Sequence, residues 1–251
     1  MALTVFLRIA KKFLLVACCI ILACVLVGFS GFEDLAAAPL KIIVIDPGHG
    51  GDDKGATGLS GLQEKDLCLA LASQLADTLR QRLGVRVILT RNDDTAVGLY
   101  ERTAIANHQR ADLFISLHFN ADLSGQQQGM KIYTLSGHSN KNEINAPGSA
   151  DEADIWEQAQ AEILDESRQL ALSLYQQAIE LSHTGRVRLC SAPLFLLEGA
   201  SMPAVLVELA YLSNPQEEEE LWIQEYKNAL VNLVYLGILN YAKTSATNKD
   251  G

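Results

Sequence analysis

With 251 residues, 49% of them hydrophobic, and only 6 prolines, the chain can bury one medium-sized core beside a terminal segment and does not read as disordered. A formal net charge of −10 argues against nucleic acid as a partner, because neutralising phosphates takes clustered Lys and Arg. Acidic balance is common among solvated enzymes and leaves the substrate class open.

At the N-terminus, Arg8, Lys11 and Lys12 precede an uncharged apolar run from Phe13 to Phe29. A basic flank followed by such a run reads as an export signal or a membrane anchor. Its length falls between a signal-peptide core and the roughly 20 residues of a spanning helix, so both readings stay open. Ala36, Ala37 and Ala38 offer small residues for cleavage, and Ile21-Leu22-Ala23-Cys24 and Leu15-Val16-Ala17-Cys18 loosely resemble a lipobox. Residues 1–38 are therefore assigned to export or to membrane or lipid anchoring, and membrane contact is confined to them. The body is expected in the periplasm or cell envelope.

The body alternates between short β-branched runs and longer amphipathic ones. Leu40 to Ile45 is a strand that ends in the loop Asp46-Pro47-Gly48-His49-Gly50-Gly51. Glu64 to Leu83 carries Leu67, Leu71, Leu75 and Leu79 at helical spacing and stops at Gly84. Val85 to Leu89 is a strand, Leu99 to Gln109 a helix, Asp112 to Leu117 a strand running into His118, and Met130 to Leu135 a further strand. The polar stretch Ser136 to Ala150 is a loop, and Asp151 to Leu181 a helix with room for one break. Pro193 to Leu197 and Ala204 to Leu209 are read as strands, Glu217 to Ala242 as a closing helix, and Lys243 to Gly251 as a frayed tail. Glu217 to Glu220 read as acids favouring a helix start. Cys68 sits among leucines and reads as core, and no CxxC spacing occurs. The alternation predicts an α/β fold, with a mostly parallel sheet of about six strands covered by helices on both faces.

In such sheets a ligand sits beyond the carboxyl ends of the strands. Four reactive side chains fall there: His49 and His118 after strands, Glu208 near a strand end, and Glu64 at a helix start. Two His and one Glu with an open fourth position is a catalytic zinc set, and a further carboxylate supplies a base. Each residue alone has a plainer reading: a turn filler for His49, a core histidine for His118, first-turn helix charge for Glu64. A lone Glu208 inside Ala204-Val205-Leu206-Val207 is costly to bury without a partner.

Ile45-Asp46-Pro47-Gly48-His49-Gly50-Gly51, Gly61-Leu62-Gln63-Glu64-Lys65-Asp66, Leu89-Thr90-Arg91 with Asp93, Ser116-Leu117-His118-Phe119-Asn120-Ala121, Met202-Pro203-Ala204-Val205-Leu206-Val207-Glu208 and Leu212-Ser213-Asn214-Pro215 follow in order. Together they resemble the zinc-dependent N-acetylmuramoyl-L-alanine amidases of AmiC-like (Amidase_3) type across residues 41–241. The resemblance implies a zinc amidase domain over residues 39–243 with a tail at 244–251, Zn2+ held by His49, Glu64 and His118, and Glu208 as the catalytic carboxylate. It implies peptidoglycan as substrate, cut between N-acetylmuramic acid and the L-alanine of the stem peptide, and leaves room for a protein activator. Asp46 and Asn120 either orient the ligands or satisfy turns, the turn being preferred. Relatives often have a glycine and an aromatic after the carboxylate, where Leu209-Ala210-Tyr211 stands here. Some relatives carry a helical insertion over the zinc. Glu143, Glu152, Glu157, Glu162 and Glu166 would be the blocking acids, although a solvated helix face is the plainer reading. Two other functions stay open: a different zinc peptidase acting on stem peptides, or a non-catalytic cell-wall binding protein.

Overall fold

A near-continuous apolar strand is what a parallel sheet covered on both faces requires, and Ile42–Pro47 (β1) satisfies it with five consecutive buried residues. The computed structural model describes residues 40–136, 150–181 and 186–249, so the N-terminal segment expected to serve export or anchoring, and nearly all of the expected loop Ser136 to Ala150, lie outside the described residues. Among the described residues no helix is long and apolar enough to cross a membrane.

After β1 come helix α1 (Glu64–Leu83), β2 (Arg86–Leu89), helix α2 (Leu99–His108), β3 (Leu113–Asn120) and β4 (Met130–Leu135). Helix α3 (Ala150–Leu181), β5 (Val187–Ala192), β6 (Ala204–Tyr211), the short α4 (Pro215–Leu221) and α5 (Gln224–Lys249) complete the order. The strands form one sheet in the order β2-β1-β3-β6-β4-β5. Strands β2, β1, β3 and β6 run parallel, β4 is antiparallel to β6, and β5 is parallel to β4. The expected mixed α/β sheet is the observed one.

One face of the sheet is the larger core, where Leu71, Leu75 and Leu79 of α1, Leu170 and Leu174 of α3 and Ile238 of α5 meet Ile43, Ile115 and Val207. Cys68 is fully buried there, as its leucine neighbours predict. The other face is smaller, with Val44, Phe114 and Leu206 under Ala106 of α2 and the turn residues Leu196, Leu197 and Met202.

The elements differ from expectation in four places. Pro193 to Leu197 is a turn rather than a strand. Pro193 offers no N–H to a ladder, while Thr103 and Asn107 of α2 donate to the carbonyls of Leu196 and Gly199 and hold the turn. The strand is instead Val187–Ala192, an edge strand whose exposed Arg188, Leu189 and Ser191 hide its period. Helix α3 is as expected, a single helix without a break. The closing helix is two helices, separated at Trp222 and Ile223, and α5 continues to Lys249 through the expected tail.

Within α5, Gly237 is where α3 comes closest: a Cβ there would lie 2.5 Å from Leu174 Cδ2 and 2.9 Å from Leu174 Cα. In an open helix Gly→Ala gains up to about 1 kcal/mol. Here the clash with a neighbouring backbone outweighs that gain. Gly237→Ala is expected to lower stability by about 1–2 kcal/mol, read as a reduced urea midpoint; an unchanged or raised midpoint would show that the two helices have room to part.

Candidate metal centre

From β1 the chain moves to β2 on one side, then crosses back to β3 on the other. The crevice between the carboxyl ends of β1 and β3 is therefore the topological switch point of the sheet, where parallel α/β proteins open a cleft. His49 follows β1 by two residues, and His118 lies near the end of β3. Glu64 is the first residue of α1, whose N-terminus faces the same rim. The backbone N–H of Phe119 donates to Glu64 Oε1 at 3.0 Å and that of Ala56 to Oε2 at 2.8 Å.

The three side chains converge. His49 Nε2 is 3.0 Å and His118 Nδ1 2.9 Å from Glu64 Oε1, and one ligand atom from each lies within 4.8 Å of the others, a grouping of the kind that holds a metal ion. His49 Nδ1 meets Asp53 Oδ2 at 2.8 Å, so in the metal-free protein the ring donates to both Asp53 and Glu64 as an imidazolium. Loss of the Nε2 proton, with Asp53 still holding Nδ1–H, would turn an Nε2 lone pair toward Glu64 and His118. The glycines make room. A Cβ at Gly48 would enter the His118 ring, and one at Gly55 would lie 2.5 Å from Glu64 Oε2 and 2.6 Å from His49 Cδ2.

Electrostatically the two carboxylates part ways. Burial disfavours the charge on Glu64, but hydrogen bonds with His118, His49 and the Ala56 amide outweigh it and hold this carboxyl well below the usual range. Burial likewise pulls against protonated His49, and Glu64 and Asp53 more than offset it, raising its pKa. Glu208 sits in register with His118 on the adjacent strand. Its Oε2 is enclosed and has no hydrogen-bond partner. Burial, with repulsion from Glu64, pushes its pKa from 4.5 to about 7 against the pull of His118, Lys131 and His49.

What holds the His49 loop was not read from sequence. His49 itself has a left-handed backbone, φ 59°. The Arg91 guanidinium donates to the carbonyls of Pro47, Gly48 and Lys65 at 3.0, 2.7 and 2.8 Å. Arg102 donates to those of Pro47 and His49 at 2.7 and 2.8 Å. Lys65 Nζ reaches Gly51 O at 2.8 Å and Asp94 at 2.6 Å. Asp46, preferred above as a turn former, is instead a fully buried strand residue. It accepts from Thr90, Ser116 and Arg102 at 2.5, 2.7 and 2.8 Å, so it acts on His49 through Arg102. Asn120 ends β3, where its carbonyl accepts from the Leu212 amide. Thr90-Arg91 was visible as part of a motif; Arg102 carried no signal beyond a charge on a helix.

The acids proposed to block the site fare differently. Ser167 Oγ accepts from the Ala204 amide, at the far end of β6, about 13 Å along the strand from Glu208. Glu166 adjoins Ser167, and Glu162 is exposed a turn further away. These two therefore do not cover the site. Glu143 and the side chains of Glu152 and Glu157 lie outside the described residues. In the acidic run, Glu217 accepts from the Gly129 and Tyr211 amides and Glu218 from those of Leu59 and Ser60. They tie loops together rather than only favouring a helix start, which Asn214 caps.

Fold and site together define a mixed α/β protein with a His–Glu–His group of metal-holding type at the sheet's switch point. A family model described as N-acetylmuramoyl-L-alanine amidase matches residues 43–240, and the chain belongs to this family. AmiC of Neisseria meningitidis serogroup B is 30% identical over 226 residues, covering 83% of this chain and 54% of its own. The germination-specific N-acetylmuramoyl-L-alanine amidase of Bacillus subtilis is 31% identical, covering 80% and 79%. The structure of the amidase AmiC2 of Nostoc punctiforme superposes with a TM-score of 0.65 at 30% identity, over 81% of this chain and 97% of that one. The chain spans about half the length of the AmiC relatives it matches.

Two outcomes follow from the charges. Arg102→Met would strand the buried Asp46 carboxylate and is expected to cost about 3–5 kcal/mol of stability, read from urea unfolding. For Glu208, a folded-state pKa of about 7 against 4.5 means that ionisation costs the metal-free fold energy. That cost is absent at acid pH, grows as pH rises past 4.5 and is complete above about 7. Glu208→Gln should therefore stabilise metal-free protein by roughly 1–3 kcal/mol at pH 8 and have little effect at pH 4. Equal effects at both pH values in thermal melts would contradict the assignment.

Proposed function

We propose that the chain is an exported zinc-dependent hydrolase that cuts the amide between N-acetylmuramic acid and the L-alanine of the peptidoglycan stem peptide. The observation that carries this reading is the convergence of His49, Glu64 and His118 within 4.8 Å beside the unpartnered Oε2 of Glu208. A neutral–anionic N2O donor set suits zinc and leaves a coordination position for substrate. An enclosed carboxylate oxygen without a hydrogen bond is an atom prepared to take a proton. Membership of the amidase family supports the choice of bond, and the N-terminal basic and apolar segment supports export.

In this reading His49 Nε2, His118 Nδ1 and Glu64 would hold a zinc ion, and Asp53 fixes the His49 ring. When bound, the metal would supply Lewis acidity to the scissile carbonyl and to water. Glu208 Oε2 accepts the proton of the attacking water. The same oxygen then delivers it to the departing alanine nitrogen, so that one carboxylate serves as base and then acid. Burial, which raises its pKa in the metal-free protein, favours the protonated form needed for the second half of the cycle. Arg91 and Arg102 take no proton; they keep the Pro47–His49 carbonyls, and with them the imidazole, in place.

Purified sacculi digested with the zinc-loaded protein should release stem peptides with a free L-alanine amino terminus, identified by mass, and a chelator should abolish release. Glu208→Gln should still bind about one zinc per chain yet lose about 10²–10⁴-fold in kcat. Peptides released by cleavage at another bond, or full activity in Glu208→Gln, would rule this function out.

A further inference from the structure

The register places a row of side chains across the sheet rim. His118 pairs with Glu208, Glu208 with Lys131 and Lys131 with Arg188, on four successive strands β3, β6, β4 and β5. Residues in register share a face, and neighbouring strands are about 4.8 Å apart. The row therefore passes from an imidazole and a carboxylate to two cations within about 10 Å of Glu208. Beside it lies a cavity of about 270 Å³ lined by Lys131, Arg186, Arg188, Tyr211 and Gln127 among others.

In a chain with 30 acidic and 20 basic residues, this lining holds three cations and no carboxylate. Lys131 Nζ stands 5.3 Å from the centre of the Tyr211 ring, which steadies it at the boundary with the Glu208 row. Arg186 lies near Glu217, but both oxygens of that carboxylate are engaged by the Gly129 and Tyr211 amides. Arg188 is exposed and makes no ion pair or side-chain hydrogen bond among the described residues. Arg188 is thus unopposed, and Lys131 and Arg186 add positive charge on the same side of the cleft, a field that attracts an anion.

We propose that Lys131, Arg186 and Arg188 form a carboxylate-binding subsite for the peptide side of the substrate, one that reads the free carboxylate on the residue following the alanine. The proposal rests on the amidase reading, which puts the scissile bond beside the His49–Glu64–His118 group and Glu208. One residue beyond the alanine, a carboxylate lies within about 7 Å of that bond, the range of Lys131 and Arg188. The glycan is thereby assigned to the β1 side of the cleft and the peptide to the β4–β5 side. Arg188 is a specificity residue, since it touches neither the metal ligands nor the proton.

The test compares two soluble muropeptides that differ only in whether the residue after L-alanine carries a carboxylate or a carboxamide. The wild type should prefer the acid by about tenfold in kcat/KM, expressed mainly in KM. Arg188→Gln should bring the ratio near one while leaving cleavage of the amidated substrate unchanged within about twofold, and Arg188→Lys should restore part of the preference. An indifferent wild type, or a variant that loses both substrates equally, overturns the subsite while leaving the amidase reading intact. If zinc-loaded wild type cleaves neither substrate, it is the amidase reading that fails. Calorimetry on Glu208→Gln with the corresponding acid and amide peptides then decides the subsite alone. Selective binding of the acid peptide that disappears in the Glu208→Gln, Arg188→Gln double variant upholds it, and equal binding overturns it.

Discussion

The carbonyl oxygens between Pro47 and His49 are the point on which the site turns, because they are held by guanidinium groups rather than by a ladder or a turn. A left-handed, non-glycine backbone at His49 costs of order 1–3 kcal/mol and persists only where its surroundings over-determine it. Arg91 and Arg102 provide that constraint. Burying two guanidinium groups would itself be costly; Arg102 is paired with the fully buried Asp46, and Arg91 donates to the carbonyls of Pro47, Gly48, Lys65 and Asp93. Asp46 in turn joins Ser116 of β3 and Thr90 just beyond β2, so the rigidity of three strands is passed to one imidazole.

The same rim treats two carboxylates in opposite ways. Glu64 is surrounded by donors, two imidazoles and two amides, and stays ionised. Glu208 faces a shorter supply of donors one strand away and resists ionisation. Hydrogen bonding decides between them, since Glu64 is buried with four donors and the enclosed Oε2 of Glu208 has none. Their separation in acidity leaves one ionised and one readily protonated carboxylate at a single rim.

Topology explains why the cleft has two unlike ends. The parallel strands β1 and β3 deliver the imidazoles at their carboxyl ends, as a switch point requires. Strand β4 runs the other way, so its first residues, with those of β5, stand at that rim. The reversal turns Lys131 and Arg188 toward the cleft instead of away from it. Four strands thus contribute to one row that no parallel repeat would have produced.

Much of this was legible in the residues themselves. The β-branched run before Asp46-Pro47-Gly48-His49, the leucines every fourth position from Leu67, and Glu208 within an apolar strand each encode burial through a local period, and burial is a local property of the pattern. The mixed sheet and the gathering of His49, Glu64, His118 and Glu208 at one rim followed from those patterns and from the family resemblance. Other features carried no such period. Val187–Ala192 alternates with exposed residues because it is an edge, Arg102 looks like any solvated helix charge, and Glu217 and Glu218 look like dipole partners. Which charge neutralises which, and which strands fall into register, depends on groups tens to more than a hundred residues apart, such as Asp46 with Arg102 or Glu218 with Ser60. The sequence by itself determined which segments would be buried and which residue types could do chemistry; only the tertiary structure decided their partners, because electrostatic pairing is set by distance in space and not by distance along the chain.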